Sequence, residues 1–181
     1  MRGFLVLALT GAAVAGVLAA TTSASTSRHA AAQANIVQVA VSSPQLTTLV
    51  SLVKKAGLVS ALSNPKAQLT VFAPTNAAFA KLKKTAPKTF NAVATTPALL
   101  KKILTYHVLG TRVDAMTATA AAMKGASVKT LEGEKIKLSI VGGKLTLNGS
   151  STVIKADIAA SNGVVHLINT VLVPPSVKVN G

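Results

Sequence analysis

Residues 69–82 read Leu69-Thr70-Val71-Phe72-Ala73-Pro74-Thr75-Asn76-Ala77-Ala78-Phe79-Ala80-Lys81-Leu82, and the rest of the chain is arranged around them. Leu69, Val71 and Ala73 alternate with Thr70 and Phe72, the period-two pattern of a short strand. Pro74 has no N–H to give to a sheet ladder, so the strand is expected to stop there. Thr75 supplies a side-chain oxygen for the orphan N–H groups of a helix beginning at Asn76. Phe79 and Leu82, three positions apart, fall on one helical face and turn toward the same core.

Upstream, Ile36, Val37, Val39, Ala40 and Val41 fit a short helix, with a strand as the alternative. Ser43-Pro44 reads as a helix start, with the hydroxyl as cap and proline at the first helical position. Leu46, Leu49, Val50 and Val53 follow at helical spacing; Lys54 and Lys55 suit the C-terminal end and Gly57 can terminate it. Leu58 to Leu62 add a helical turn before Asn64-Pro65 breaks the chain.

Downstream, Lys81 to Lys88 reads as a basic connector. Thr96-Pro97 repeats the cap-then-proline device and opens a helix with Leu99, Leu100, Ile103 and Leu104, which runs out near Tyr106-His107. Val113 to Gly125 fits a short strand followed by a helix. Strands take over beyond it. Lys135 to Ile140 alternates, Gly142-Gly143 is a two-residue hairpin turn, and Leu145 and Leu147 return. Asn148-Gly149 marks another turn before a strand from Val153 to Ile158. Ser161-Asn162-Gly163 then turns into Val164–Val173, an apolar run suited to a buried strand that Pro174-Pro175 ends. Helices first and consecutive strands later make an α+β layout.

With 181 residues, half of them hydrophobic, the chain is expected to form one domain. Cysteine is absent, which excludes disulfides, thiolate catalysis and zinc–thiolate sites. Residues 1–24 read as a signal peptide: Arg2, an uncharged apolar run from Phe4 to Ala20, then small residues with cleavage at Ala20 or Ala24. The alternative is an uncleaved anchor of about 17 residues, near the lower limit for spanning a bilayer. Residues 25–34 read as a flexible leader, 35–175 as the domain and 176–181 as a tail, with no transmembrane helix after cleavage.

The formal net charge is +15, nearly all of it lysine. Lysine attracts polyanions without reading them, and after the signal only Phe72, Phe79, Phe90 and Tyr106 are aromatic, so no specific nucleic-acid binding is expected. Candidate polyanion contacts are Lys81, Lys83, Lys84, Lys88, Lys101 and Lys102, whose alternative role is solubility.

No catalytic set, metal site or cofactor fingerprint emerges from the residues. The four carboxylates are Asp114, Glu132, Glu134 and Asp157, and the Glu132–Glu134 pair reads as a solvated turn. His107 and His166 have no second ligand at metal spacing. Each reads first as an imidazole that ties core elements together, because a buried polar group left unpaired costs about 1–3 kcal/mol. Asn148-Gly149-Ser150 matches the glycosylation sequon, but reads first as a turn.

The opening stretch, with Phe72, Pro74, Thr75 and Phe79, resembles the first motif of the fasciclin (FAS1) domain. Tyr106-His107-Val108-Leu109 is similar to that family's central Tyr-His segment, and Asn162 to Asn169, including Gly163 and His166, to its second motif. The three occur in the family's order and cover about residues 35–175. The resemblance implies two small β-sheets in a wedge-like sandwich with the early helices packed around it. It also implies an adhesion module with partner contacts at Tyr106, His107, Asp157 and Ile158, matching segments associated with integrin adhesion in animal members. Here Lys155 and Ala156 replace the acidic residue and proline that precede the Asp-Ile pair in those proteins.

The function expected is therefore non-enzymatic and without a cofactor: a secreted, periplasmic or cell-surface module binding a surface or matrix protein or polysaccharide. One alternative is electrostatic retention of a lysine-rich protein on anionic envelope polymers or lipid headgroups. Another is an exported small-molecule or cofactor binder, which needs an apolar cavity.

Overall fold

The computed structural model describes residues 33–177. The expected signal peptide and nearly all of the expected leader lie outside these residues, as does most of the tail. In chain order the elements are α1 (Ile36–Ser42), a 3-10 turn at Pro44–Leu46, α2 (Thr47–Lys55), α3 (Val59–Ser63) and β1 (Leu69–Pro74). Then come α4 (Asn76–Thr85), α5 (Pro87–Thr95), α6 (Pro97–Tyr106), β2 (Val108–Leu109) and α7 (Ala115–Met123). The chain closes with β3 (Ser127–Lys129), β4 (Lys135–Val141), β5 (Lys144–Leu147), β6 (Ser151–Ala160) and β7 (Gly163–Ile168).

The opening stretch forms as its local chemistry dictates. β1 ends at Pro74, Thr75 adopts an extended conformation, and its hydroxyl accepts the Ala78 N–H to start α4 at Asn76. Phe79 is buried and Leu82 packs against the same core. Further upstream, residues 36–42 are a helix rather than a strand, set by a capping box between Asn35 and Gln38 in which each side chain accepts the other's N–H at 2.9 Å.

Four local expectations are corrected. Ser43 does not cap the next helix: its hydroxyl donates back to the Val39 carbonyl, and Pro44 opens a 3-10 turn. The α2 cap comes instead from Asn76, whose Oδ1 accepts the Thr48 N–H at 3.0 Å while its Nδ2 donates to Pro44 and Thr47. Thr96 makes no side-chain cap either, because α6 starts at an exposed turn where water can serve the free N–H groups. Lys81 to Lys88 is no connector. α4 continues through Thr85 and α5 begins at Pro87, a separation of the single residue Ala86, because lysines favour the negative end of a helix and proline favours the start of one. The last strand stops at Ile168, after which Val171 and Leu172 stay buried without joining it.

The strands run in the order β2-β1-β7-β6-β5-β4-β3. β1 pairs with β7 in parallel, Leu69 opposite Gly163 through Pro74 opposite Ile168, and the other neighbours are antiparallel. The two small sheets of the expected wedge are thus joined in one order, because the long β6 pairs with both β5 and β7. The Leu131 N–H, just beyond β3, donates to the Val108 carbonyl of β2 at 2.8 Å and nearly closes the sheet on itself. The α+β wedge stands.

Burial explains why β1 and β7 carry so few exposed positions. All six residues of each strand are buried. Leu69, Val71 and Ala73 face a core shared with α1 to α6, with Leu46, Leu49, Phe79, Leu100 and Ile103. Phe72 faces the opposite core inside the curved sheet, with Tyr106, Ile136, Leu138 and Leu147. An alternating strand with apolar layers on both sides has no wet face.

Candidate functional site

The Tyr-His segment ends α6, and the structure carries both side chains inward. Tyr106 is fully buried; its hydroxyl donates to the Lys135 carbonyl at 3.2 Å and accepts from Asn148 Nδ2 at 2.8 Å. Burial, the larger cause, pushes the phenol's pKa up, against the Asn148 hydrogen bond. Asn148 sits in its turn at φ 50°, and its Oδ1 accepts the Lys137 N–H, so both ends of the sequon amide serve the fold. His107, only 2% exposed, accepts the Leu172 N–H at Nε2 (3.0 Å). Its proton therefore resides on Nδ1, which donates to the Ile103 carbonyl at 2.7 Å. The imidazole thus ties the end of α6 to the buried segment after β7, a strand that stops where its parallel partner β1 stops, Pro74 opposite Ile168.

Burial lowers the His107 pKa to about 4. In the unfolded chain an imidazole titrates near 6.5. Between these values the unfolded chain holds the proton and the folded chain does not. The stability contributed by His107 is therefore full above about pH 6.5 and falls as pH drops toward 4, by on the order of 3 kcal/mol. His107→Gln should flatten this part of the acid slope, read from urea midpoints at about pH 7.5 and about pH 4.5. Identical slopes in parent and variant would rule the assignment out.

The second motif is likewise internal. Asn162 is fully buried in the turn before β7: Oδ1 accepts the Ile36 N–H at 2.9 Å, and Nδ2 donates to the carbonyls of Leu62 (2.8 Å) and Asn64 (3.0 Å). His166 takes the opposite tautomer to His107. Its Nδ1 accepts the Asp157 N–H at 3.2 Å, its Nε2 donates to the Val113 carbonyl at 2.9 Å, and its ring stacks on Phe72 with centroids 5.7 Å apart. Asn169 Oδ1 accepts the Thr152 N–H at 2.9 Å.

Asp157 lies in the bulged middle of β6 at φ 55°, a conformation tolerated best by Asn and Asp among side-chain-bearing residues. It is exposed, but its Oδ1 accepts the Ala115 N–H at 2.8 Å and so helps cap α7 beside Asp114, whose Oδ1 accepts the Thr117 N–H at 2.7 Å. The Thr117 hydrogen bonds hold the Asp114 carboxyl below the usual range. Ile158 is half-buried against the helical core. Of the four candidate partner contacts, only Asp157 is exposed. The expectation that Tyr106 and His107 present their side chains to a partner is corrected by their burial.

Lys81, Lys83, Lys84, Lys88 and Lys101 are exposed. Lys102 differs. Its ammonium pairs with Glu132 at 3.4 Å, and Glu132, which also accepts the Glu134 N–H, is mostly covered rather than solvated as expected. An overlooked feature is charge placement. Residues 33–113 carry nine lysines and Arg112 but no carboxylate, while all four acidic residues follow. The signal was in plain view as a run without Asp or Glu.

Beneath α1, α2 and α3 lies an apolar cavity of about 30 Å³, lined by Ile36, Leu49, Val53, Val71 and His107 among others. That is room for about one water, against roughly 300–1,000 Å³ for a drug-sized ligand. Among the described residues no group of three or more His, Asp or Glu converges on a common point.

The Fasciclin domain family model matches residues 44–174. Protein sll1483 of Synechocystis sp. is 42% identical over 140 residues, covering 77% of this chain and 73% of that protein. Transforming growth factor-beta-induced protein ig-h3 of Sus scrofa is 35% identical over 144 residues, 80% of this chain but only 20% of that larger protein. Among solved structures, a FAS1 domain pair from the insect cell adhesion molecule Fasciclin I superposes with a TM-score of 0.70 at 18% identity, over 79% of this chain and 52% of that chain. At that identity the likeness concerns the fold. With the family model spanning most of the chain and a relative at 42% identity, the chain belongs to the fasciclin domain family.

Proposed function

We propose that the chain is an exported, non-enzymatic interaction module that works at a cell surface or in a matrix and engages protein or carbohydrate partners through its exterior. The observation that carries this reading is the use made of the polar motif residues. Tyr106, His107, Asn162 and His166 each spend their hydrogen bonds on the protein's own backbone or side chains, and no buried side-chain nitrogen or oxygen among the described residues lacks a partner. They build a scaffold, and the outer surface is what remains for recognition. Membership of a family that includes a cell adhesion molecule supports the same reading. The test is binding of the protein to the isolated envelope of the producing cell across a salt series. Binding above the level of an unrelated basic protein at about 0.15 M salt is the expected result, and none at that ionic strength would overturn the reading.

A second reading is favoured by the acid-free helical half: retention by charge alone. It separates from the first at about 1 M salt, where the Debye length is near 3 Å and exposed charges no longer hold a partner.

A further inference from the structure

We propose that the helical side of the molecule, α4 to α6, is a docking face for a linear anionic polysaccharide. The inference rests on the surface-module reading and names its partner chemistry.

The first support is segregation of charge. Residues 33–113 hold nine lysines and Arg112 without one Asp or Glu. On the other side of the molecule, Asp114 and Asp157 cap α7 and Glu132 is held by Lys102 and the Glu134 N–H. Glu132 is the acidic group that reaches the helices, and it neutralises only Lys102. Solubility alone asks for a net charge of magnitude about 2–8 in a small domain. The chain carries +15, and concentrating the excess on one side costs self-repulsion that an anionic partner would relieve.

The second support is the arrangement of the lysines. α4 and α5 are separated by Ala86 alone, so Lys81, Lys83 and Lys84 continue into Lys88, with Lys101 on the adjoining α6. Along α4, Lys81 and Lys84 are about 4.5 Å apart in axial rise. Lys83, Lys84, Lys88 and Lys101 donate no hydrogen bond to the protein and join no ion pair among the described residues; Lys81 reaches only the Thr170 hydroxyl, at 3.3 Å.

The composition of the face chooses among polyanions. A nucleic acid calls for arginine forks or aromatic platforms. Here α4 to α6 contain no arginine, Phe79 and Tyr106 are buried, and Phe90 is half-buried. An anionic membrane is gripped best by cations beside exposed apolar side chains that enter the interface. Among the described residues the exposed large hydrophobic ones are Val41, Met116, Met123, Leu131, Val141 and Ile154, none of them in α4 to α6. Flexible ammonium groups without stacking or insertion partners suit the spaced sulfate, phosphate or carboxylate groups of a polysaccharide.

The test uses the full chain on dextran sulfate, with neutral dextran and vesicles of phosphatidylcholine and phosphatidylglycerol alongside. One variant combines Lys83→Gln, Lys84→Gln and Lys88→Gln. A second, of equal charge loss on the sheet side, combines Lys129→Gln, Lys137→Gln and Lys144→Gln. The helical triple should weaken dextran sulfate binding about tenfold at low salt. It should also reduce the slope of log K against log salt by about 2, at about 0.7 per lost contact. The sheet triple should lose less than about twofold. Equal losses in the two triples would mean net charge without a face and overturn the proposal. So would binding no tighter than to neutral dextran, or vesicle binding tighter than dextran sulfate binding and lost in the helical triple. Envelope binding in the same preparations keeps the two readings apart. If it is absent while dextran sulfate binding keeps its helical bias, the inference stands and the surface-module reading falls; if it survives while both triples lose dextran sulfate equally, the reverse holds.

Discussion

Gly163→Ala is expected to destabilise the protein by more than about 4 kcal/mol, among the largest single-residue effects a domain of this kind can show. Gly163 opens β7 opposite Leu69 of the parallel strand β1. A Cβ at this position would lie 1.9 Å from the Leu69 carbonyl oxygen, 2.8 Å from its carbonyl carbon and 2.9 Å from its nitrogen. The obstacle is backbone, with no flexible side-chain end to swing away. Neither strand can retreat easily, because both are buried along their full length between two cores. Against a typical total stability of about 5–15 kcal/mol, the variant should be near unfolding at room temperature. Urea denaturation measures it, with Gly142→Ala as control. Gly142 has φ +56° and open space around its missing Cβ, so that change should cost only about 1–2 kcal/mol. A Gly163→Ala midpoint as close to the parent as the control's would remove close backbone approach as the reason for glycine here.

Asn162→Ala should cost about 3–6 kcal/mol. The side chain serves three partners at once: the Ile36 N–H at the start of α1, the carbonyl of Leu62 in α3 and that of Asn64 just after it. Truncation orphans all three, at about 1–3 kcal/mol each, with water recovering part of the loss. Asn162→Asp separates this explanation from simple loss of volume. It keeps an oxygen for the Ile36 N–H but turns a carboxylate oxygen toward two carbonyls, so at neutral pH it should be at least as damaging as alanine. Amide exchange should also speed up in α1, which would lose the tie between its first turn and the β6–β7 turn. A loss below about 1 kcal/mol in both variants would refute the role assigned to Asn162.

The elements around the opening stretch were legible from their residues. Pro74 stops β1, Thr75 caps α4, and Gly142 and Gly143 turn a hairpin with φ of 56° and 73°. The candidate site was legible by motif and not by depth. Tyr106 and His107 stand at the end of an amphipathic helix, and periodicity tells which face a residue takes without telling how much protein lies beyond it. The cap on α2 could not be read at all, since it comes from Asn76, twenty-eight positions after the N–H it serves. The Lys102–Glu132 pair escaped for the same reason, and with it the covered state of Glu132.

By itself, the sequence determined that helices precede the run of strands, the Thr75 cap, the Gly142-Gly143 turn, the absence of thiol chemistry and the uneven placement of charge. These depend on interactions within a few residues or on composition, which the chain carries wherever it goes. Only the tertiary structure decided that β1 and β7 run parallel, that Leu131 nearly closes the sheet onto Val108, and that the two motif imidazoles are held in opposite tautomers. Each of these joins groups dozens of residues apart, and such groups meet only when every layer between them has packed.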